Sequence, residues 1–159
     1  MELGKILLNE QFLIKATHVA EITKERLYIT TFKAEICAKP RCHNLLKFFT
    51  IVSDKAKSGV DVRFITNQTT PRRSIPLSNF NAIQELRRTN AKVRCLKNNR
   101  ICHAKLILSD SFTAIIGSHN LSVKSCQSNF EISYIFNDAY IVKELYSIFD
   151  TLWDNAKEP

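Results

Sequence analysis

Residues 101–120 read ICHAKLILSDSFTAIIGSHN, and this stretch decides how the rest of the chain is read. Residues 101–108 are an apolar run of strand length, and Thr113-Ala114-Ile115-Ile116 is a second, shorter one. Side chains two apart on a strand share a face, so His103 and Lys105 are expected to project together while Ala104, Leu106 and Leu108 turn into a core. Asp110 follows the first run, and the turn Gly117-Ser118-His119-Asn120 follows the second. Adjacent strands would then gather an imidazole, an ammonium, a hydroxyl and a carboxamide. That set suits a phosphate: Lys105 supplies a point charge, Ser118 and Asn120 supply donors, and Gly117 lets backbone approach closely. The imidazole of His103 can serve as nucleophile or proton carrier near neutral pH.

Outward from this stretch, helical and strand periods alternate. Residues 11–24 read as a helix, and Leu27-Tyr28-Ile29-Thr30-Thr31-Phe32 is β-branched and aromatic, hence a strand. Leu45, Leu46, Phe49, Val52 and Ala56 recur at helical spacing within 43–57, and Gly59 stops that helix. Residues 60–65 alternate as a strand, 67–79 carry two prolines and turn residues as a loop, and 79–89 predict a helix. Further strands are expected at 93–96 and 131–136. A closing amphipathic helix is expected over about 138–154, with Ile141, Leu145, Ile148, Phe149 and Leu152 as its buried stripe. Strands separated by helices predict an α/β fold: one domain over 1–159, a mixed, mostly β-sheet core flanked by helices on both faces. Tyr134, Phe136 and Trp153 are read as core rather than stacking platforms, and His18 and His43 as surface or capping residues.

The chain has 159 residues, 45% of them hydrophobic and 24% charged, with 3 Gly and 4 Pro, which excludes collagen-like and linker-like classes. No apolar run approaches the roughly 18 residues of a membrane helix, and the first residues lack the pattern of a secretory signal. A soluble, cytoplasmic protein without integral membrane association is the expectation. The formal net charge of +8 is concentrated: residues 63–105 hold ten basic side chains, among them Arg72, Arg73, Arg100 and Lys105, against Glu85 alone. A basic stripe of this kind points to a polyanion, nucleic acid before anionic lipid, or to a surface kept soluble by like charge. Arg72-Arg73 reads either as an exposed turn or as a substrate clamp on a loop. The five cysteines are read as reduced, structural thiols. Cys37-x4-Cys42-His43 offers zinc-type ligands, but no second pair completes a tetrahedral set, so neither metal nor other cofactor is expected.

The pattern His103-x-Lys105-x4-Asp110-x6-Gly117-Ser118-x-Asn120 resembles the complete signature of the phospholipase D superfamily, and with it a phospholipase D-like fold is implied. The resemblance is nearest to the small, single-motif bacterial endonucleases, in which a glutamate bonded to the histidine stands where this chain has Glu131. It implies a metal-independent phosphodiesterase working through a covalent phosphohistidine. His103 would attack phosphorus, and a second histidine would protonate the leaving oxygen. Lys105 and Asn120 would hold the non-bridging oxygens, Glu131 would orient His103, Ser118 would assist, and Asp110 would support the site. His119, at the signature's variable position, is expected to line the mouth.

Only one histidine in the chain is followed by lysine two residues on, whereas the mechanism uses two such motifs. A two-fold homodimer sharing one site is therefore expected. The basic segment, the single motif and the small size favour cleavage of a DNA or RNA backbone. The alternatives are a lipid headgroup hydrolase or transferase, and a nucleic-acid-binding module without catalysis.

Overall fold

The computed structural model describes residues 4–37, 39–68, 77–96 and 100–159. Arg72 and Arg73, and with them most of the expected loop over 67–79, lie outside the described residues. One eight-stranded mixed sheet runs through the molecule, as expected from the alternating periods. Its strands are β1 (Gly4–Leu8), β2 (Arg26–Thr30), β3 (Asp61–Asn67), β4 (Lys92–Leu96), β5 (Leu106–Ser109), β6 (Thr113–Gly117), β7 (Ile132–Asn137) and β8 (Ala156–Lys157). The helices are α1 (Glu10–Ile22), α2 (His43–Lys57), α3 (Ser78–Arg87), α4 (Val123–Gln127) and α5 (Ala139–Asn155).

The strands lie in the order β1-β7-β6-β5-β2-β3-β4-β8. β2, β3 and β4 are parallel, and every other pairing is antiparallel. β5 joins the two halves, with Leu106 opposite Thr30 on β2 and opposite Ile116 on β6. Both faces of the sheet are covered. Leu7, Leu27, Ile29, Phe64, Ile107 and Ile115 pack with α1, α2 and α3 in one core. Tyr28, Ile65, Leu106, Leu108 and Ala114 pack under α5 in the other.

α5 begins at Asp138, whose carboxylate accepts from the backbone N–H groups of Tyr140 and Ile141 at 2.9 and 3.0 Å. Its buried stripe is Val142, Tyr146, Phe149 and Trp153: of the expected set Phe149 is buried, Leu145 and Leu152 are partly buried against the same core, and Ile141 and Ile148 face outward. The helix is rotated because the two large rings go inward and find cations there. The Arg26 guanidinium lies over Tyr146, and those of Arg63 and Arg94 over Trp153. α1 shows a similar difference, with Phe12, Leu13, Ala16, Val19 and Ala20 buried and Ile14 and Ile22 exposed.

Three expectations are corrected outright. The strand expected over 101–108 starts only at Leu106, and Ala104 is exposed rather than in the core. The cysteines are not all reduced: Cys37 and Cys42 form a disulfide across the connection from β2 to α2, while Cys95, Cys102 and Cys126 are buried thiols. His119 does not line a mouth. It is 1% exposed, stacked on Phe12 at 4.4 Å, with Nδ1 2.7 Å from Ser133 Oγ and Nε2 3.0 Å from the Asn9 carbonyl. It belongs to the core beneath α1.

Phe149 is fully buried, so Phe149→Ala is expected to lower unfolding free energy by about 3–5 kcal/mol in urea titrations. Burial also pushes the His119 imidazolium below its ordinary value of 6.5. The folded state then holds this ring neutral while the unfolded chain takes up a proton, so its contribution is present above pH 6.5 and lost as pH falls. Thermal melts from pH 8 to pH 5 are expected to show this decline, and His119→Gln to flatten it. An unchanged slope in the variant would contradict this assignment.

Candidate active site

The C-terminal ends of β2, β3 and β4, the start of β5, the end of β6 and the start of β7 all meet at one end of the sheet. Loops at the carboxyl ends of parallel strands are where α/β sheets place ligands. His103 stands there three residues ahead of β5, outside the strands, and its ring is exposed. Its ring centroid lies 5.3 Å from that of Phe32, which follows β2.

Lys105 is nearly buried, at 9% exposure, and its side chain folds back on His103. Nζ lies 2.6 Å from the His103 carbonyl oxygen and 3.0 and 3.2 Å from Nδ1 and Nε2 of the ring. A ring nitrogen accepts from an ammonium only through a free lone pair, and which of the two nitrogens that is depends on the tautomer. Burial pushes Lys105 below the usual lysine value of 10.5, against the opposing field of Glu131. The neighbouring thiol is no rival nucleophile, because burial pushes Cys102 up to about 11.

Asn120 stands on the turn after β6, at the same end of the sheet. Its Oδ1 accepts from the Lys33 N–H at 3.1 Å and from Thr31 Oγ1 at 3.4 Å. With the oxygen so engaged, the amide offers its NH2 to an anionic oxygen. Its own N–H donates to Ser125 Oγ at 2.8 Å. Gly117 precedes the turn because β7 passes too close for a side chain: a Cβ there would stand 2.4 Å from Ser133 Cα. The glycine thus serves strand packing.

Glu131 and Ser118 form a second layer. Ser118 Oγ donates to Glu131 Oε2 at 2.5 Å, while Ser125 Oγ and Asn129 Nδ2 donate to Oε1 at 3.1 and 3.0 Å. Burial alone would raise this carboxyl, but those three bonds outweigh it and hold the group below its usual range. Among the described residues these are the hydrogen-bond partners of the Glu131 carboxylate, and the ring of His103 is bonded to Lys105 instead. Glu131 therefore orients Ser118 and, through Ser125, the Asn120 backbone; the expected bond to His103 is not formed. Ser125 and Asn129 were not singled out in the sequence, since α4 is too short to show a period.

Asp110 sits at the opposite end of β5 with a positive φ of 50°. Its carboxylate accepts from the backbone N–H groups of Lys24, Glu25 and Arg26 at 2.8–3.3 Å, which fixes the entry to β2. It sets the β2–β5 register rather than touching substrate.

Among the described residues the basic segment does not form one stripe. Arg63 pairs with Asp61 and Asp150, Lys92 pairs with Asp61, and Arg94 donates to the Trp153 carbonyl. Arg87, Arg88 and Arg100 are exposed, with Arg88 paired to Glu85 at 3.1 Å. Among the described residues, one group could hold a metal ion, Glu35 with Cys37 and Cys42, and there the two sulfurs are already bonded to each other. The Lys105 ammonium against His103, and the Asn120 carboxamide and Ser118 hydroxyl at the same end of the sheet, are donors suited to anionic oxygens.

The family model described as cardiolipin synthase, PLD-like domain, matches residues 19–153. The major cardiolipin synthase ClsA of Bacillus subtilis is 32% identical over 92 residues, which are 58% of this chain and 19% of that protein, so the chain spans about a fifth of this relative. Among solved structures, the phospholipase D family member Nuc from Salmonella typhimurium superposes with a TM-score of 0.79 at 16% identity over 98% of both chains. NucT from Helicobacter pylori superposes with a TM-score of 0.71 at 13% identity, over 98% of this chain and 99% of that one. The two structures speak for the fold, and the family match covers most of the chain, His103 through Asn120 included. The chain belongs to the phospholipase D superfamily.

Proposed function

We propose that this chain is a metal-independent phosphodiesterase that cleaves a nucleic-acid backbone through a phosphohistidine at His103, in a site completed by a second copy. The observation that carries the reading is the Lys105 ammonium held against a His103 ring whose open side faces solvent. In this reaction a ring nitrogen of His103 attacks phosphorus and the bond to the leaving oxygen breaks. Lys105 and the Asn120 NH2 receive the charge that builds on the non-bridging oxygens. A proton from the second copy's histidine neutralises the leaving oxygen. Water then attacks the phosphohistidine, giving up a proton to that same histidine and freeing His103.

Two features support the dimer. The chain has one His-x-Lys, and an uncovered apolar row adjoins the site. Ile6, Tyr134 and Ile116 are cross-strand neighbours on β1, β7 and β6, with Leu8 and Ile132 paired beside them, all at least 39% exposed. Ile132 is bonded through both its N–H and C=O to Ser118, so the row reaches the site. The same patch on two copies makes a self-complementary interface. Nucleic acid as substrate is supported by the exposed Arg87, Arg88 and Arg100 and by full-length likeness to two solved chains of matching size. The identity to cardiolipin synthase favours a second reading, transfer or hydrolysis at a phospholipid headgroup. Among the described residues no helix is long and apolar enough to cross a membrane.

Incubation with plasmid, single-stranded DNA, RNA and phosphatidylcholine vesicles in EDTA separates the readings. Cleavage of nucleic acid in EDTA is expected, with a loss of roughly 10³-fold or more in His103→Ala. Activity that EDTA abolishes and magnesium restores would overturn the mechanism, and headgroup release alone would install the lipid reading. Sedimentation is expected to give a dimer, and Ile132→Glu to give a folded monomer without activity. A monomer that retains full activity would contradict the shared site.

A further inference from the structure

β5 starts at Leu106, so although the Lys105 carbonyl accepts from the Gly117 N–H at 3.4 Å and the Ala104 carbonyl from Thr30 Oγ1 at 3.1 Å, the backbone of residues 102 and 103 lies outside the ladder. Something else must fix it. Asn67, the last residue of β3, is fully buried, and its carboxamide grips both polar groups of residue 102. Oδ1 accepts from the Cys102 N–H at 2.7 Å and Nδ2 donates to the Cys102 carbonyl at 3.0 Å. Nδ2 also reaches the Phe32 carbonyl at 3.3 Å. One side chain thus replaces the missing neighbour strand at the residue before His103.

A second buried carboxamide continues the connection. Asn79, on α3, is also fully buried. Its Oδ1 accepts from the Ala34 N–H at 2.8 Å. Its Nδ2 lies 3.0 Å from the Phe32 carbonyl, 3.1 Å from Thr66 Oγ1 and 3.3 Å from the Asn67 carbonyl. Residues 31–34 therefore hang from Asn67 and Asn79, and these are the residues that hold Asn120 through Thr31 and Lys33. Two carboxamides link the histidine side of the site to the asparagine side.

We propose that Asn67 and Asn79 are positioning residues: together they set the placement of His103 and Lys105 relative to Asn120. The proposal rests on the reading of His103 as nucleophile given above. A leucine of similar volume would fill either place with apolar surface, but it would leave the polar groups of Cys102, Phe32 and Ala34 buried without these partners. Polar side chains here hold a geometry that apolar packing would not. Misplacing a nucleophile by even an ångström lowers turnover far more than binding, since substrate is held by contacts elsewhere.

The test compares Asn67→Leu and Asn79→Ser with Thr66→Val. The last removes a buried hydrogen bond of the same network without touching residue 102 or residues 31–34. At matched folded fraction, kcat is expected to fall about 100-fold or more in Asn67→Leu with KM within about threefold, while Thr66→Val stays within about threefold in both. Asn67→Asp should regain kcat relative to wild type as pH is lowered from 8 to 6, because the protonated acid recovers a donor for the Cys102 carbonyl. Equal kcat losses in Thr66→Val and Asn67→Leu, or an unchanged kcat in Asn67→Leu, would overturn the proposal. If Asn67→Leu fails to fold, Asn67→Asp and Asn79→Ser carry the same comparison. NMR of the imidazole resonances gives a readout independent of turnover. His103 should shift in Asn67→Leu or Asn67→Asp while His18 stays, and an unmoved His103 would overturn the clamp. A wild-type chain that cleaves nothing, with His103 still shifting, would instead count against the phosphodiesterase reading alone.

Discussion

The structure depends on the seam at β5. This four-residue strand is buried on both faces and pairs antiparallel with β2 on one side and β6 on the other. It joins the parallel β2-β3-β4 half to the antiparallel β6-β7-β1 half. Leu106 and Leu108 enter the core under α5, and Ile107 enters the core under α1 and α2. A slip of one residue would exchange those faces and turn Lys105 away from His103. Asp110 guards the register at the far end by holding three backbone N–H groups ahead of β2, and Asn67 guards it at the near end through Cys102. The signature's aspartate and its histidine thus act at opposite ends of one strand.

At the near end the electrostatic arrangement is one of donors awaiting an anion. Lys105 is short of water and lies against the His103 ring, a condition that an incoming phosphate would relieve by supplying negative charge. The carboxylate in the neighbourhood, Glu131, is occupied by Ser118, Ser125 and Asn129, so its charge is tied down. That division keeps an acceptor-rich group from repelling substrate while still ordering the turn that carries Asn120.

Much of this was legible in residue order, for reasons that differ by element. β2 and β3 announce themselves because Leu27–Thr30 and Val62–Ile65 are dense in β-branched and aromatic side chains, and α2 because its apolar spacing is regular. His103, Lys105 and Asn120 are legible because spacing and side-chain chemistry agree. The start of β5 was not, since ICHAKLIL is strand-like throughout and what ends the ladder is Asn67, 35 residues away. His119 was misjudged because its burial is decided by Phe12 and by Asn9, 110 residues away. Charge was legible as a sum and not as a surface: Asp61 and Asp150, both outside the basic segment, bind Arg63, and Asp61 binds Lys92 as well. The Cys37–Cys42 bond, five residues apart, needed the turn Pro40–Cys42 to bring the sulfurs together.

The central claim is that His103 becomes covalently bonded to phosphorus during turnover. Intact mass spectrometry after quenching the protein with a short oligonucleotide in alkaline denaturant reads this directly, because phosphohistidine survives alkali. The expected result is a mass increase equal to the transferred nucleotide fragment, mapped by peptide analysis to His103 and absent from His103→Ala. Turnover of the oligonucleotide with no adduct at any time point, or an adduct mapped to Ser118, would contradict it.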